Sequence, residues 1–190
     1  MALDINKVGN YNGKSFLGNS SAKPIAGVPL RSIYSFDFSQ GKLTTDDVIL
    51  PGEPVKAVNQ VSAETGAGKA LNPNVLALSK PAAAADISGF LLVNETDVLN
   101  FGETAPKAIK GQIVNVALLG SRVEVYLPVA AAVANVNANS KLAWNSTNGN
   151  LEVSTSGTIT LLSPVVDGVK FKTSGSDTIY EDCKVAKVRL

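Results

Sequence analysis

A chain of 190 residues suits one compact domain with an appendage. It contains no histidine, the usual proton shuttle near neutral pH and the commonest metal ligand, which argues against triad hydrolysis and zinc sites. Seventeen Lys and Arg against sixteen Asp and Glu leave a net charge of +1, so no strong global field recruits nucleic acid or an anionic membrane.

The start, Met1-Ala2-Leu3-Asp4-Ile5-Asn6-Lys7, lacks the charged-then-apolar layout of a secretory signal. No stretch approaches the roughly 18 apolar residues that span a bilayer, so the chain is expected to be made and used in cytosol. The sequons at Asn19, Asn94 and Asn145 then read as polar turn residues. Residues up to about Thr45 are crowded with Gly, Asn and Ser, which favour turns and raise the entropy cost of ordering. Residues 1–45 therefore read as an extended N-terminal arm, and 46–190 as a β-rich domain.

Inside the arm, Ile33 to Ser39 alternates, with Tyr34, Phe36 and Phe38 in one register and Ser35, Asp37 and Ser39 in the other. This is a strand with an aromatic face. It either packs on its own domain or docks on a neighbouring subunit, which makes Ile33, Tyr34, Phe36 and Phe38 the candidate protein-contact residues.

Beyond Asp46 the chain reads as short strands separated by Pro51-Gly52, Asn72-Pro73, Gly111, Gly120-Ser121, Asn148-Gly149 and Asp167-Gly168. Glu64 to Ala70 superficially resembles a phosphate-binding loop. It has Ala63 where the first glycine belongs and Ala70 where a Ser or Thr would hold magnesium, so it reads as a plain loop. Helix has room only as short pieces near Pro81–Ala85 and Pro128–Val133, two segments that read alternatively as strand edges.

The strongest hairpin signal is Gln112–Leu119, Gly120-Ser121, then Arg122–Leu127, with the glycine placed for a type II′ turn. In the return strand Val123, Val125 and Leu127 face the core, and Arg122, Glu124 and Tyr126 face water or a partner. The outgoing strand is apolar on both faces, which predicts a central position.

A second hairpin joins Leu142–Trp144 to Leu151–Val153 through an Asn-Gly loop, with Trp144 capping the core. Further strands are expected at Thr158–Leu162, Val169–Lys172 and Lys184–Leu190. The acidic neighbours Asp46-Asp47 and Glu181-Asp182 point to opposite sides of an extended chain and cannot converge as an acid and base pair. Phe171 lies between Lys170 and Lys172 but on the other face, which offers no stacking platform for bases. Cys183, the only cysteine, sits in an apolar-rich run and reads as a small buried hydrophobe. The fold class is all-β, a small barrel or sandwich of short antiparallel strands with an extended N-terminal arm. No cofactor, metal or catalytic set is expected.

From about Val55 to Leu190 the pattern resembles the decoration, or cement, proteins of tailed-phage heads. The resemblance lies in Ile87-Ser88-Gly89-Phe90-Leu91-Leu92, in Gly111–Ala117 through Gly120 to Val123–Leu127, in Ser140–Trp144 followed by Gly149-Asn150-Leu151, and in the closing Val185–Leu190. It implies a non-enzymatic structural protein on the capsid exterior, made in the host cytoplasm. Its partner would be the major capsid protein, and its state a homo-oligomer, by preference a trimer, with neither nucleic acid nor membrane as partner. The long arm implies an alternative, a head-fibre or tail-associated trimeric adaptor, in which a head-fibre protein is also a partner.

Overall fold

Turn-formers every few residues leave room for short strands and little for helices. A computed structural model describes residues 23–31, 38–59, 75–93, 107–174 and 177–190. Among these the chain is all-β, with two 3₁₀ turns, Ala84–Asp86 and Ala131–Asn135, in the two Pro-Ala segments. The first strands are β1 (Pro29–Arg31), β2 (Ser39–Leu43), β3 (Pro54–Asn59), β4 (Val75–Ser79), β5 (Gly89–Leu91) and β6 (Ile113–Leu118). They are followed by β7 (Glu124–Pro128), β8 (Lys141–Asn145), β9 (Asn150–Val153), β10 (Ile159–Leu161), β11 (Val166–Ser174) and β12 (Asp177–Arg189).

Strands β2 to β6 close a barrel in the order β2-β4-β3-β5-β6, with β2 and β4 parallel and the remaining pairs antiparallel. Leu43, Ile49, Val55, Leu78, Leu91 and Val116 fill its interior. The other seven strands form a sheet ordered β1-β7-β12-β10-β8-β9, with β11 also pairing β12. Barrel and sheet share one core because β5 and β6 are apolar on both sides. Leu91 and Val116 belong to the barrel interior, while Phe90 and Ala117 join Val125, Leu127, Leu142 and Val188 of the sheet. The burial on both faces expected for the Gln112–Leu119 strand holds at Val116 and Ala117, whereas Ile113 is 57% exposed.

The hairpin expected from Gln112 to Leu127 does not form. β6 pairs β2 and β5 in the barrel, and β7 pairs β1 and β12 in the sheet, so the chain crosses between the two units. The Ser121 N–H donates to the Leu118 carbonyl at 3.1 Å, which puts Gly120, at φ +84°, third in a type II turn. A type II turn splays its flanking strands, whereas the type II′ turn expected from sequence would pair them. Arg122, at φ 64°, takes the chain further out of line.

Of the expected arm, residues 1–22 and 32–37 lie outside the described residues, and the described parts pair with the rest of the chain. β1 joins the seven-stranded sheet and β2 is a stave of the barrel. The stretch before β1 is stitched by backbone bonds: Ala26 N–H to Val169 O at 2.9 Å, Val169 N–H to Pro24 O at 2.9 Å, and Gly27 N–H to Tyr126 O at 2.8 Å. The Val93 N–H reaches Gly27 O at 2.9 Å, and Ile25 is buried in a small cluster with Leu50, Val93, Val169, Phe171 and Tyr180. Backbone pairing needs no apolar side chains, so composition could not reveal it.

The second expected hairpin is present as β8–β9, with Trp144 opposite Leu151 and Asn145 opposite Asn150. Trp144 is half-buried on the core, its ring edge-on to Phe90 at 5.4 Å. Strand β12 begins seven residues earlier than the expected Lys184, because Asp177 to Val185 pairs with β11 in a long ribbon.

Candidate functional site

Of the four residues expected to contact a partner, Ile33, Tyr34 and Phe36 lie outside the described residues. Phe38 is half-buried against the main core. The phosphate-loop-like Glu64–Ala70 segment and the sequons at Asn19 and Asn94 also lie outside the described residues.

Two surface features remain. The first is a cleft of about 470 Å³ between the Leu50–Pro54 turn, the β8–β9 tip at Trp144 and the ribbon residues Lys170, Lys172 and Glu181. Its charges are mostly committed to one another. Glu181 accepts from Lys172 at 2.5 Å and lies 3.3 Å from Lys170, and these lysines hold its carboxyl below the usual range, Lys172 most of all. Glu53 accepts the Leu50 N–H at 2.8 Å, which braces the turn. The neighbouring Asp182 is 2.8 Å from Lys23, on the other side of the strand from Glu181, so the acidic pair does not converge.

The second feature is the outer face of the seven-stranded sheet. Alternation sends Val125, Leu127, Ala186, Val188, Ile159 and Leu142 inward, which leaves Glu124, Tyr126, Lys187, Arg189, Thr160 and Lys141 outward. Register aligns four of these across four strands: Glu124 opposite Arg189, Arg189 opposite Thr160, and Thr160 opposite Lys141. At a strand spacing of about 4.8 Å, Arg189 and Lys141 stand roughly 10 Å apart.

Glu124 is the buried carboxylate of this face, 8% exposed. Its Oε1 accepts from Arg189 at 2.9 Å and its Oε2 lies 2.6 Å from Lys187 Nζ. The two cations, Lys187 first, hold its carboxyl below the ordinary value of 4.5 against the opposing effect of burial. Lys141 donates to the Thr160 hydroxyl at 3.0 Å and has no carboxylate partner among the described residues. Lys187 and Arg189 thus bracket the one buried acid of this face, and Lys141 stands three strands away from it. At the β9 edge a second acid, Glu152, is tied up by the side-chain amides of Asn148 and Asn145 at 2.8 and 2.9 Å.

Among the described residues no group of three or more His, Cys, Asp and Glu side chains could hold a metal, and no helix is long and apolar enough to cross a membrane. Burial pushes the Cys183 thiol up to about 11, so it is protonated and inert near neutral pH, as expected of a hydrophobe, although the residue is half-buried rather than fully enclosed. Phe171 is buried against Tyr180 at 5.0 Å with the flanking lysines on the opposite face, as the alternation implies.

No family model matches the chain, and no curated protein matches it. The outward face was half legible beforehand. Alternation marked Glu124 and Tyr126 as facing water or a partner. The alignment of Arg189, Thr160 and Lys141 beside Glu124 depends on pairing among strands far apart in sequence, which carries no local signal.

Proposed function

We propose that this chain is a structural virion protein that binds the outer surface of a tailed-phage capsid and stabilises it, acting through contact and catalysing no reaction. The reading rests on the resemblance of residues 55–190 to decoration proteins. One observation of the fold carries it further: a broad strand-built face on which Lys187 and Arg189 bracket a single buried carboxylate and Lys141 adds a third cation three strands away. Such a face suits an acidic protein surface, because the Arg189 guanidinium uses one nitrogen on Glu124 and keeps donors for a partner carboxylate. Rigid strands position these groups without the ordering cost that loops would incur.

On this reading the major capsid protein is the partner, and copies that bind only the assembled lattice shift its equilibrium toward the stable shell. Quantitative mass spectrometry of purified particles tests it. Hundreds of copies per particle are expected. A few copies at one vertex would move the assignment to the head-fibre or tail adaptor, and absence from particles would refute a virion role. With purified shells, Lys141→Glu should lower occupancy and leave folding stability within about 0.5 kcal/mol, since Lys141 is exposed and bonded only to a hydroxyl.

A further inference from the structure

We propose that the Asn148–Gly149 step at the β8–β9 tip is a site of spontaneous backbone modification, and that Glu152 restrains it. Asn148 is exposed and followed by a glycine, whose missing side chain leaves its amide nitrogen unhindered. The reaction is intramolecular. Gly149 N loses its proton and attacks Asn148 Cγ, the Cγ–Nδ2 bond breaks, and the amide nitrogen leaves as ammonia with that proton, closing a succinimide. Water then opens the ring to aspartate or isoaspartate. Solvent is the sole co-reactant, and nothing is oxidised or reduced.

Three contacts oppose this step. Asn148 Nδ2 donates to Glu152 Oε1 at 2.8 Å, which fixes the side chain that must swing toward the backbone. The Gly149 N–H donates to the Asn145 carbonyl at 2.9 Å, so the attacking nitrogen is engaged. The Asn148 N–H donates to Asn145 Oδ1 at 3.2 Å, which holds the backbone before the step. A carboxylate beside the site also disfavours the anion that forms when Gly149 N is deprotonated.

The product would be costly to this tip. An acid at position 148 faces Glu152, replacing a donor–acceptor pair with two like charges. Isoaspartate adds a backbone carbon between Asn145 and Asn150, which are paired in register. Because Trp144, Ser146 and Gly149 line the cleft, its wall would loosen with age.

The test is peptide mapping by mass spectrometry of the full chain, incubated at mildly alkaline pH, reading the amide-to-acid mass gain at Asn148. The native protein should convert slowly, and the urea-unfolded protein faster. Glu152→Ala, which removes the acceptor of both Asn148 and Asn145, should convert about tenfold faster than wild type in the native state. Glu152→Gln, which keeps an oxygen acceptor without the charge, should fall between them. A native wild-type rate equal to the unfolded rate would overturn the proposal, as would Glu152→Ala and Glu152→Gln both converting at the wild-type rate.

Discussion

Gly27 is the residue on which the seam between the N-terminal segment and the barrel turns. Its φ is +85°, and a Cβ there would sit 2.5 Å from Gly52 N and 2.7 Å from the Pro51 carbonyl carbon. Backbone is on the other side of that contact, so nothing can swing aside. Gly27→Ala should cost about 2–3 kcal/mol in denaturant unfolding. Gly120 has nearly the same φ, +84°, with open space around it, so Gly120→Ala should cost only about 1 kcal/mol. Equal costs would mean that the Gly27–Gly52 approach contributes nothing.

Glu124 makes a pH-dependent contribution at the same scale. Its folded pKa lies below the unfolded value, so its stabilisation is present above about 4.5 and is lost as pH falls through the depressed folded value. Glu181 and Asp167, each held low first of all by a hydrogen bond from a lysine, act in the same direction. Glu124→Ala should destabilise by about 1–2 kcal/mol at neutral pH and by progressively less toward acid, read from urea midpoints across that range. A cost independent of pH would remove the ion pairs as its cause.

At the scale of elements, the β11–β12 ribbon shows how a polar sequence can hold a strand. Nine residue pairs run from Val166–Val185 to Ser174–Asp177, yet apolar anchoring comes mainly from Phe171 and Tyr180, with Val169 and Ile25 beneath. Burial pushes the Tyr180 hydroxyl up to about 12. Phe171→Ala should cost about 3 kcal/mol, and hydrogen exchange should rise along the ribbon before it rises in the barrel. The early part of β12 escaped sequence reading because Glu181, Asp182 and Lys184 interrupt its apolar alternation. Their charges are matched across the ribbon and to Lys23, by Lys170 and Lys172 to Glu181, and by Lys184 to Asp167 at 2.6 Å.

For the whole molecule, the cluster that Phe90 and Ala117 of the barrel share with the sheet should couple the two in unfolding. Phe90 belongs to a barrel strand yet is fully buried in the sheet's core against Trp144. Trp144, the only tryptophan, therefore reports on the junction. Its fluorescence and far-ultraviolet circular dichroism should give coincident unfolding curves, and separated midpoints would show two independent units. Phe90→Ala should lower stability by about 3–5 kcal/mol and shift both probes together.

Spacing of breakers and local alternation determined the all-β class, the β8–β9 hairpin with its Asn-Gly loop and the inward set of β7. These are properties of neighbours along the chain, set by backbone preferences and the two-residue strand period. Only the tertiary structure decided that Gly120 sends β7 away from β6, that residues 24–31 and 38–43 belong to the fold, and that Arg189, Thr160 and Lys141 line up in one row with Glu124. Each depends on which distant strand supplies the hydrogen-bond partners, and a backbone N–H carries no mark of its partner in the residue that bears it.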